Sequence, residues 1–374
     1  MPANQYLTTP AAVAALYAAG VRTTIVQRGD SSGDQSHVIP VLAVHANHGV
    51  LVIDAMVGGA TTNPKGLNMA NSYVDHFRIP VGRVAYVNSA AAMNAAIAGQ
   101  LPHAMQKMSL TTTTTRTVNA IIASKANRTA IKAQFRGQKM VGAVPAVALP
   151  VMSPTVLLDI QLDQYRQARG IPLNQPVVVL WGRKSGKRGG PYPEMDHSTT
   201  GMAQIARRCS ALNYTVLIAG DIPAAKIGPA PAHNFGNAIW LGDFWNHWGL
   251  GGDRSHQIRF FYVLSKMLKL QVPRLNLVHV GMRSGGLDMY GFSGQRIIYI
   301  VAPVTAAGGV NDNRMLGAFQ ALDAARIAGI VTSYSYGRYQ ATRIPKRYGH
   351  GARYRGFSPA NLNTLVAQIT ASLA

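Results

Sequence analysis

Small and basic residues follow two apolar segments in the C-terminal half of the chain. After residues 275–280 (LNLVHV) come Arg283, Ser284, Gly285, Gly286 and Asp288. The Arg283 guanidinium can bind two phosphate oxygens at once, and the three residues after it can offer backbone N–H groups to an anion. The sequence therefore predicts an anion-binding turn at this position.

The apolar segment 176–181 (PVVVLW) is followed by a second polar loop. Its basic residues are Arg183, Lys184 and Lys187, and the residues Glu194, Asp196 and His197 come after them. A carboxylate or an imidazole can take a proton from a reacting hydroxyl, which makes these three the candidate general bases. His197 has an alternative role beside Ser198, at the start of a helix.

Apolar strands alternate with helical segments through this half. The predicted strands are residues 176–181, 215–219, 238–241, 275–280 and 296–302. The predicted helices are residues 199–212, 255–268, 286–292 and 313–328. This alternation predicts a doubly wound parallel sheet, in which ligands bind outside the carboxyl ends of the strands. Asp221 and Asp243 follow two of these strands, so we expect them at the same edge. Asp221 alternatively anchors a turn.

The N-terminal half shows a similar alternation and predicts a separate α/β domain. Its strands are expected at residues 23–27, 38–44, 50–56 and 84–87, and its helices at residues 10–20 and 89–98. Within residues 110–140, the segment 119–139 (NAIIASKANRTAIKAQFRGQK) has helical spacing and basic residues on its polar side. This fits a solvated face, a membrane-surface helix or a nucleic-acid helix. A proline-punctuated segment, 141–152, suggests domains at residues 1–150 and 151–374.

The charge of the chain is strongly positive. Its 374 residues include 36 Lys and Arg against 14 Asp and Glu, which gives a net charge of +22, and Glu194 is the single glutamate. Such a charge attracts anionic partners, although it also serves solubility. An apolar content of 48% excludes a disordered chain. We expect no transmembrane segment and no signal peptide, because no apolar run is long enough and the N-terminus lacks a basic start.

Several common catalytic signatures are missing from the sequence. It has no GxxxxGK[ST], GxGxxG, HExxH or GxSxG motif, and nothing visible requires a metal. The single cysteine, Cys209, excludes an internal disulfide, and its spacing suits a small residue on a helix face better than a catalytic thiol.

Residues 279–300 (HVGMRSGGLDMYGFSGQRIIYI) and 176–190 (PVVVLWGRKSGKRGG) resemble the nucleotide-binding domain of glycosyltransferases of the GT-B architecture. The likeness is to metal-independent, fucosyltransferase-like members, in which two Rossmann-like domains face a cleft. It implies that Arg183 and Arg283 contact the donor diphosphate and that Asp288 or Asp243 contacts the sugar or ribose. Gly294 would mark the start of the following strand.

We therefore expect a glycosyltransferase that moves a sugar from a nucleotide sugar to an acceptor hydroxyl without a cofactor. Arg183, Lys187 and Arg283 would stabilise the leaving diphosphate. The N-terminal domain would face the acceptor, whose identity, a protein or another molecule, stays open. The scarcity of glutamate and the basicity also resemble bacterial toxin or effector domains. The localisation stays open: without a signal peptide, we expect the cell's own cytoplasm or delivery into a host cytoplasm. The alternatives are a basic nucleic-acid-binding or packaging protein and an ADP-ribosyl or other nucleotide-dependent transferase, which would rely on Glu194.

Overall fold

The chain folds into two compact units of parallel α/β structure. The computed structural model describes residues 8–29, 35–55, 65–89, 106–108, 118, 120–136, 154–182, 199–220, 234–244, 254–282, 285–301, 327–331, 357 and 359–374. One unit comprises Met1–Val147 with Asp253–Arg259, and the other comprises Ala148–Gly252 with Phe260–Ala374. None of the helices in these ranges is long and apolar enough to cross a bilayer.

The first unit is built on a sheet of parallel strands in the order β3-β2-β1-β4. Its strands are β1 (Thr23–Arg28), β2 (His48–Ala55), β3 (Val84–Ser89) and β4 (Gln106–Met108). Its helices are α1 (Thr9–Ala18), α2 (Gln35–Val44), α3 (Lys65–Asp75) and α4 (Lys125–Phe135), with a short 3₁₀ turn at Val81–Arg83.

Helices cover both faces of this first sheet. Val26 of β1 packs with α1, whereas the next residue, Gln27, accepts a hydrogen bond from Tyr73 of α3. Since successive residues of a strand point to opposite faces, α1 and α3 lie on opposite sides of the sheet.

The prediction of a strand at residues 38–44 was wrong, because this segment belongs to helix α2. Seven of the ten residues of α2 are buried, Pro40 included. A helix that is buried all round shows no amphipathic period, so its apolar run resembles a strand. The helix predicted at residues 89–98 and the linker at residues 141–152 lie outside the described residues, apart from residue 89, which ends β3.

The second unit contains a larger parallel sheet in the order β10-β9-β8-β5-β6-β7. Its strands are β5 (Val177–Gly182), β6 (Thr215–Gly220), β7 (Ile239–Trp240), β8 (Leu277–Met282), β9 (Arg296–Val301) and β10 (Ile327–Val331). Counted from β5, this is the 3-2-1-4-5-6 order of the dinucleotide-binding Rossmann fold. The prediction of an α/β fold with a doubly wound C-terminal sheet is confirmed.

The helices described in and beside this sheet are α5 (Pro154–Ala168), α6 (Thr199–Ala211), α7 (Arg254–Gln271), α8 (Gly285–Phe292) and α9 (Pro359–Leu373). Helix α7 begins in the first unit and ends in the second. The helix predicted at residues 313–328 is wrong at its end, because residues 327–328 begin β10. Its other residues lie outside the described ranges.

Two hydrophobic layers hold the second sheet. On one face, Val178 and Leu180 of β5 pack with α6 and α9, in a core that includes Leu365 and Ile369. On the other face, Trp181 contacts Phe261 of α7 and Tyr290 of α8. The strands therefore read as continuous apolar runs, as expected for parallel strands covered on both sides.

Glycine is required where β5 and β6 end side by side. Gly182 pairs with Gly220, whose φ is +85°, and a Cβ on Gly220 would overlap the carbonyl oxygen of Gly182. We predict that Gly220→Ala lowers the free energy of unfolding by about 1–2 kcal/mol for the positive φ and by a further ~1–3 kcal/mol for the overlap.

The matched control is Gly170→Ala, because Gly170 also has a positive φ (+64°) but faces open space. This variant should lower the free energy of unfolding only by the part that comes from the positive φ, about 1–2 kcal/mol. Urea unfolding followed by tryptophan fluorescence measures both, since all four tryptophans lie in the second unit. Equal losses in the two variants would contradict the close approach of the two strand ends.

Candidate site at the carboxyl edge of the second sheet

Three neighbouring strands of the second sheet end level with one another. Trp181 of β5 pairs with Gly281 of β8, and Gly182 pairs with Gly220 at the end of β6. A Cβ on Gly281 would come within 2.7 Å of the Trp181 Cβ, so this residue must be small as well. The edge is thus lined by backbone that a ligand can approach closely.

The two connections that leave β5 and β8 lead to opposite faces of the sheet. The next described helix after β5 is α6, which packs with Val178 and Leu180. The next after β8 is α8, which packs with Trp181 on the other face. Neighbouring strands whose connections diverge leave a crevice between them at the carboxyl edge, where open α/β sheets bind ligands.

Most of the predicted site residues lie outside the described part of the chain. These are Arg183, Lys184, Lys187, Glu194, Asp196, His197, Asp221, Arg283 and Ser284. In the sequence, Arg183 directly follows β5, Asp221 directly follows β6 and Arg283 directly follows β8. Their roles stay predictions.

Gly285, Gly286 and Asp288 form the first turn of α8. The free N–H groups of a first helical turn favour a negative charge near them. The carboxyl group of Asp288 lies in this turn, but the residue is only 4% exposed. It accepts a hydrogen bond from the Tyr299 hydroxyl of β9. A donor ribose would have to share or replace this hydrogen bond, so the predicted ribose contact stays untested.

Asp243 follows the edge strand β7 and is bound within its own unit. It forms an ion pair with Arg169 and accepts a hydrogen bond of 3.1 Å from the Tyr165 hydroxyl. Burial raises the pKa of Tyr165 to about 12, against the opposing effect of Arg169, so the hydroxyl stays a donor. Three strand spacings separate β7 from β8, or about 14 Å, so Asp243 and Asp288 cannot contact one small group.

A buried polar cluster beneath the edge was not predicted. His279 of β8 is fully buried, and its Nδ1 accepts a hydrogen bond of 3.0 Å from the Trp181 indole N–H. An indole nitrogen can only donate, so Nε2 of His279 holds the proton and donates to Gln295 Oε1 at 2.7 Å. The imidazole stacks on the Tyr290 ring with centroids 4.1 Å apart. The signal in the sequence is a single histidine inside an apolar strand.

Burial lowers the pKa of His279 to about 3, although the hydrogen bond to Gln295 acts in the opposite direction. The imidazole is therefore neutral at physiological pH. Cys209 of α6 packs in the core. Burial raises the pKa of its thiol to about 12, so the thiol remains protonated. This agrees with the structural role that the sequence favours.

Several basic side chains of the first unit bind backbone carbonyls. Arg83 donates to the carbonyl oxygens of Leu42, His45 and His48, and Arg128 donates to those of Ile122 and Ala123. Because these positive charges stabilise the carboxyl ends of helical segments, part of the basicity of the chain has a structural use.

No protein-family model matches the chain, and no curated protein matches it in sequence. It is similar to the solved structure of a glycosyl transferase family 9 protein from Veillonella parvula DSM 2008. The TM-score is 0.44 and the identity 11%, over 95% of this chain and 98% of that one. It is also similar to the wall teichoic acid polymerase TagF (H444N variant), with a TM-score of 0.26 and 9% identity over 78% of this chain and 74% of that one. At these scores neither likeness carries an argument about function.

The low pKa of His279 makes the stability of the second unit depend on pH. Between pH ~6.5 and ~3 the unfolded chain binds a proton at His279 that the folded chain does not. The free energy of unfolding should therefore fall as the pH falls through this window, by up to about 1.4 kcal/mol per pH unit.

The control variant is His279→Gln, which cannot titrate and still offers an oxygen to Trp181. Urea unfolding at pH 7, 6 and 5, followed by tryptophan fluorescence, should show the wild type losing more stability than the variant as the pH falls. Parallel pH profiles for the two proteins would show that His279 is not held neutral by the fold.

Proposed function

We propose that this protein is a glycosyltransferase whose nucleotide-sugar donor binds at the carboxyl edge of the second sheet, between β5 and β8. The observation that carries the proposal is the pairing of these two strands at the point where the connections diverge. Such a crevice is the place where open α/β sheets bind nucleotides. The glycines at the strand ends and the first turn of α8 supply backbone that can approach a phosphate.

The charges that follow the two strands support a diphosphate as the ligand. Arg183 directly follows β5 and Arg283 directly follows β8. The two strands pair near their ends, where Trp181 lies opposite Gly281. Two guanidinium groups that start from adjacent strand ends suit the oxygens of one diphosphate. The net charge of +22 would draw such an anion toward the protein.

In the proposed reaction, an acceptor hydroxyl attacks the anomeric carbon of the donor sugar and the bond from that carbon to the diphosphate oxygen breaks. The proton of the hydroxyl passes to a base, for which Glu194, Asp196 and His197 are the candidates. The departing diphosphate gains negative charge, which the two arginines would stabilise in place of a metal. Among the described residues, no three His, Cys, Asp or Glu side chains lie together as a metal site would need.

The test compares the arginines that follow β5 and β8 with an arginine that precedes β8. We predict that a UDP-, GDP- or CMP-sugar raises the melting temperature of the wild type by mass action. Arg283→Ala and Arg183→Ala should each weaken binding by about 10- to 150-fold, since a hydrogen bond to a charged group is worth about 1.5–3 kcal/mol. Isothermal titration calorimetry on the full chain measures the affinity, and donor hydrolysis measures the turnover.

The control is Arg274→Ala, because Arg274 is exposed and lies just before β8, at the amino edge of the sheet. It removes the same charge and should leave the affinity unchanged. An equal loss in all three variants would indicate attraction by net charge alone. Binding of short DNA with a steep salt dependence, and of no nucleotide sugar, would favour the nucleic-acid alternative instead.

A further inference from the structure

Trp181 begins a chain of hydrogen bonds that links β5 to the far end of α8. From His279 the chain continues through Gln295, whose Nε2 donates to Ser293 Oγ at 3.1 Å. The Ser293 hydroxyl then donates to the carbonyl oxygen of Tyr290 at 2.8 Å. Since the indole can only donate and the carbonyl can only accept, every bond in the chain has a fixed direction.

The chain ends where helix α8 ends. The backbone N–H of Gln295 donates to the Tyr290 carbonyl oxygen at 2.9 Å, and that of Gly294 donates to Gly291 at 2.9 Å. Gly294 has a φ of +79°. These are the bonds of a Schellman motif, which fixes the last turn of a helix. The polar chain and the helix cap therefore share one acceptor.

The rings of the same residues hold α8 against the sheet. Tyr290 lies 4.1 Å from the His279 ring and 5.0 Å from the Trp181 ring, centroid to centroid. Phe261 of α7 closes the cluster edge-on. Gly281 leaves room for the Cβ and the backbone of Trp181. Helix α8 is thus attached to β5 and β8 through Trp181 and His279, and to β9 through Asp288 and Tyr299.

We propose that Trp181 is a positioning residue of the donor site. Through His279 and Tyr290 it fixes helix α8 relative to the carboxyl ends of β5 and β8. The backbone N–H groups at the start of the helix are thereby held where they can bind a phosphate group of the donor. The part of this inference that concerns phosphate rests on the proposed function. The part that concerns the placement of α8 does not.

The test uses Trp181→Phe, which keeps an aromatic ring but removes the N–H that orients His279. Amide hydrogen exchange on the full chain should be about tenfold faster in residues 285–292 than in the wild type, with α9 unchanged. The matched control is Ile369→Val, a buried change on the opposite face of the same sheet. It should lower the ratio of folded to unfolded protein by a similar factor, about five. It should not make amide exchange selectively faster in α8.

A second readout separates positioning from general destabilisation. At a temperature where both variants are fully folded, Trp181→Phe should bind UDP or GDP about tenfold more weakly than the wild type, while uridine or guanosine binds unchanged. The Ile369→Val variant should bind the diphosphates as the wild type does.

The two proposals fail in different ways. Unchanged exchange in residues 285–292 of Trp181→Phe, or the same acceleration in Ile369→Val, would overturn the positioning role. Selective acceleration together with a wild type that binds neither UDP nor GDP would uphold the placement of α8 by Trp181 and overturn its connection to a donor.

Discussion

The parallel pairing of β5 with β8 is the constraint on which the second unit depends. The strand order requires one connection to leave toward α6 on one face and the other toward α8 on the opposite face. Side chains alternate along β5, so Leu180 and Trp181 meet different helices. A crevice follows from this topology alone, at one place on the edge. The ends of the two strands therefore lie side by side at this edge, as the pairing of Trp181 with Gly281 shows.

The strands of this unit could be predicted because helices cover both of their faces. Such strands are apolar at every position, and β5, β6, β8 and β9 were found within two residues of their ends. The same burial misled the interpretation of α2, whose apolar run lacks any polar face. Strand order could not be predicted, since it depends on which face each connection crosses and not on the composition of any one strand.

The candidate site was predictable only where function and folding use different residues. Glycines that follow an apolar strand indicate a turn into a helix, so a helix was expected from Gly286, and α8 begins one residue earlier, at Gly285. Asp288 lies in the same turn, yet its buried hydrogen bond to Tyr299 serves the packing of α8. His279 and Gln295 gave no comparable signal, because a lone polar residue in an apolar run reveals its partners only when distant segments come together.

The neutral state of His279 and the direction of its hydrogen bonds are one physical fact. A protonated imidazole would turn Nδ1 into a donor facing the Trp181 indole N–H, so two donors would meet in a fully buried site. The fold avoids the cost of this contact by excluding the proton. The polar cluster beneath the edge therefore adds no charge to it. The positive potential that the proposed diphosphate needs must come from residues beyond the strands. Since the pKa of His279 is about 3, its imidazole stays uncharged when the pH changes between about 5 and 8.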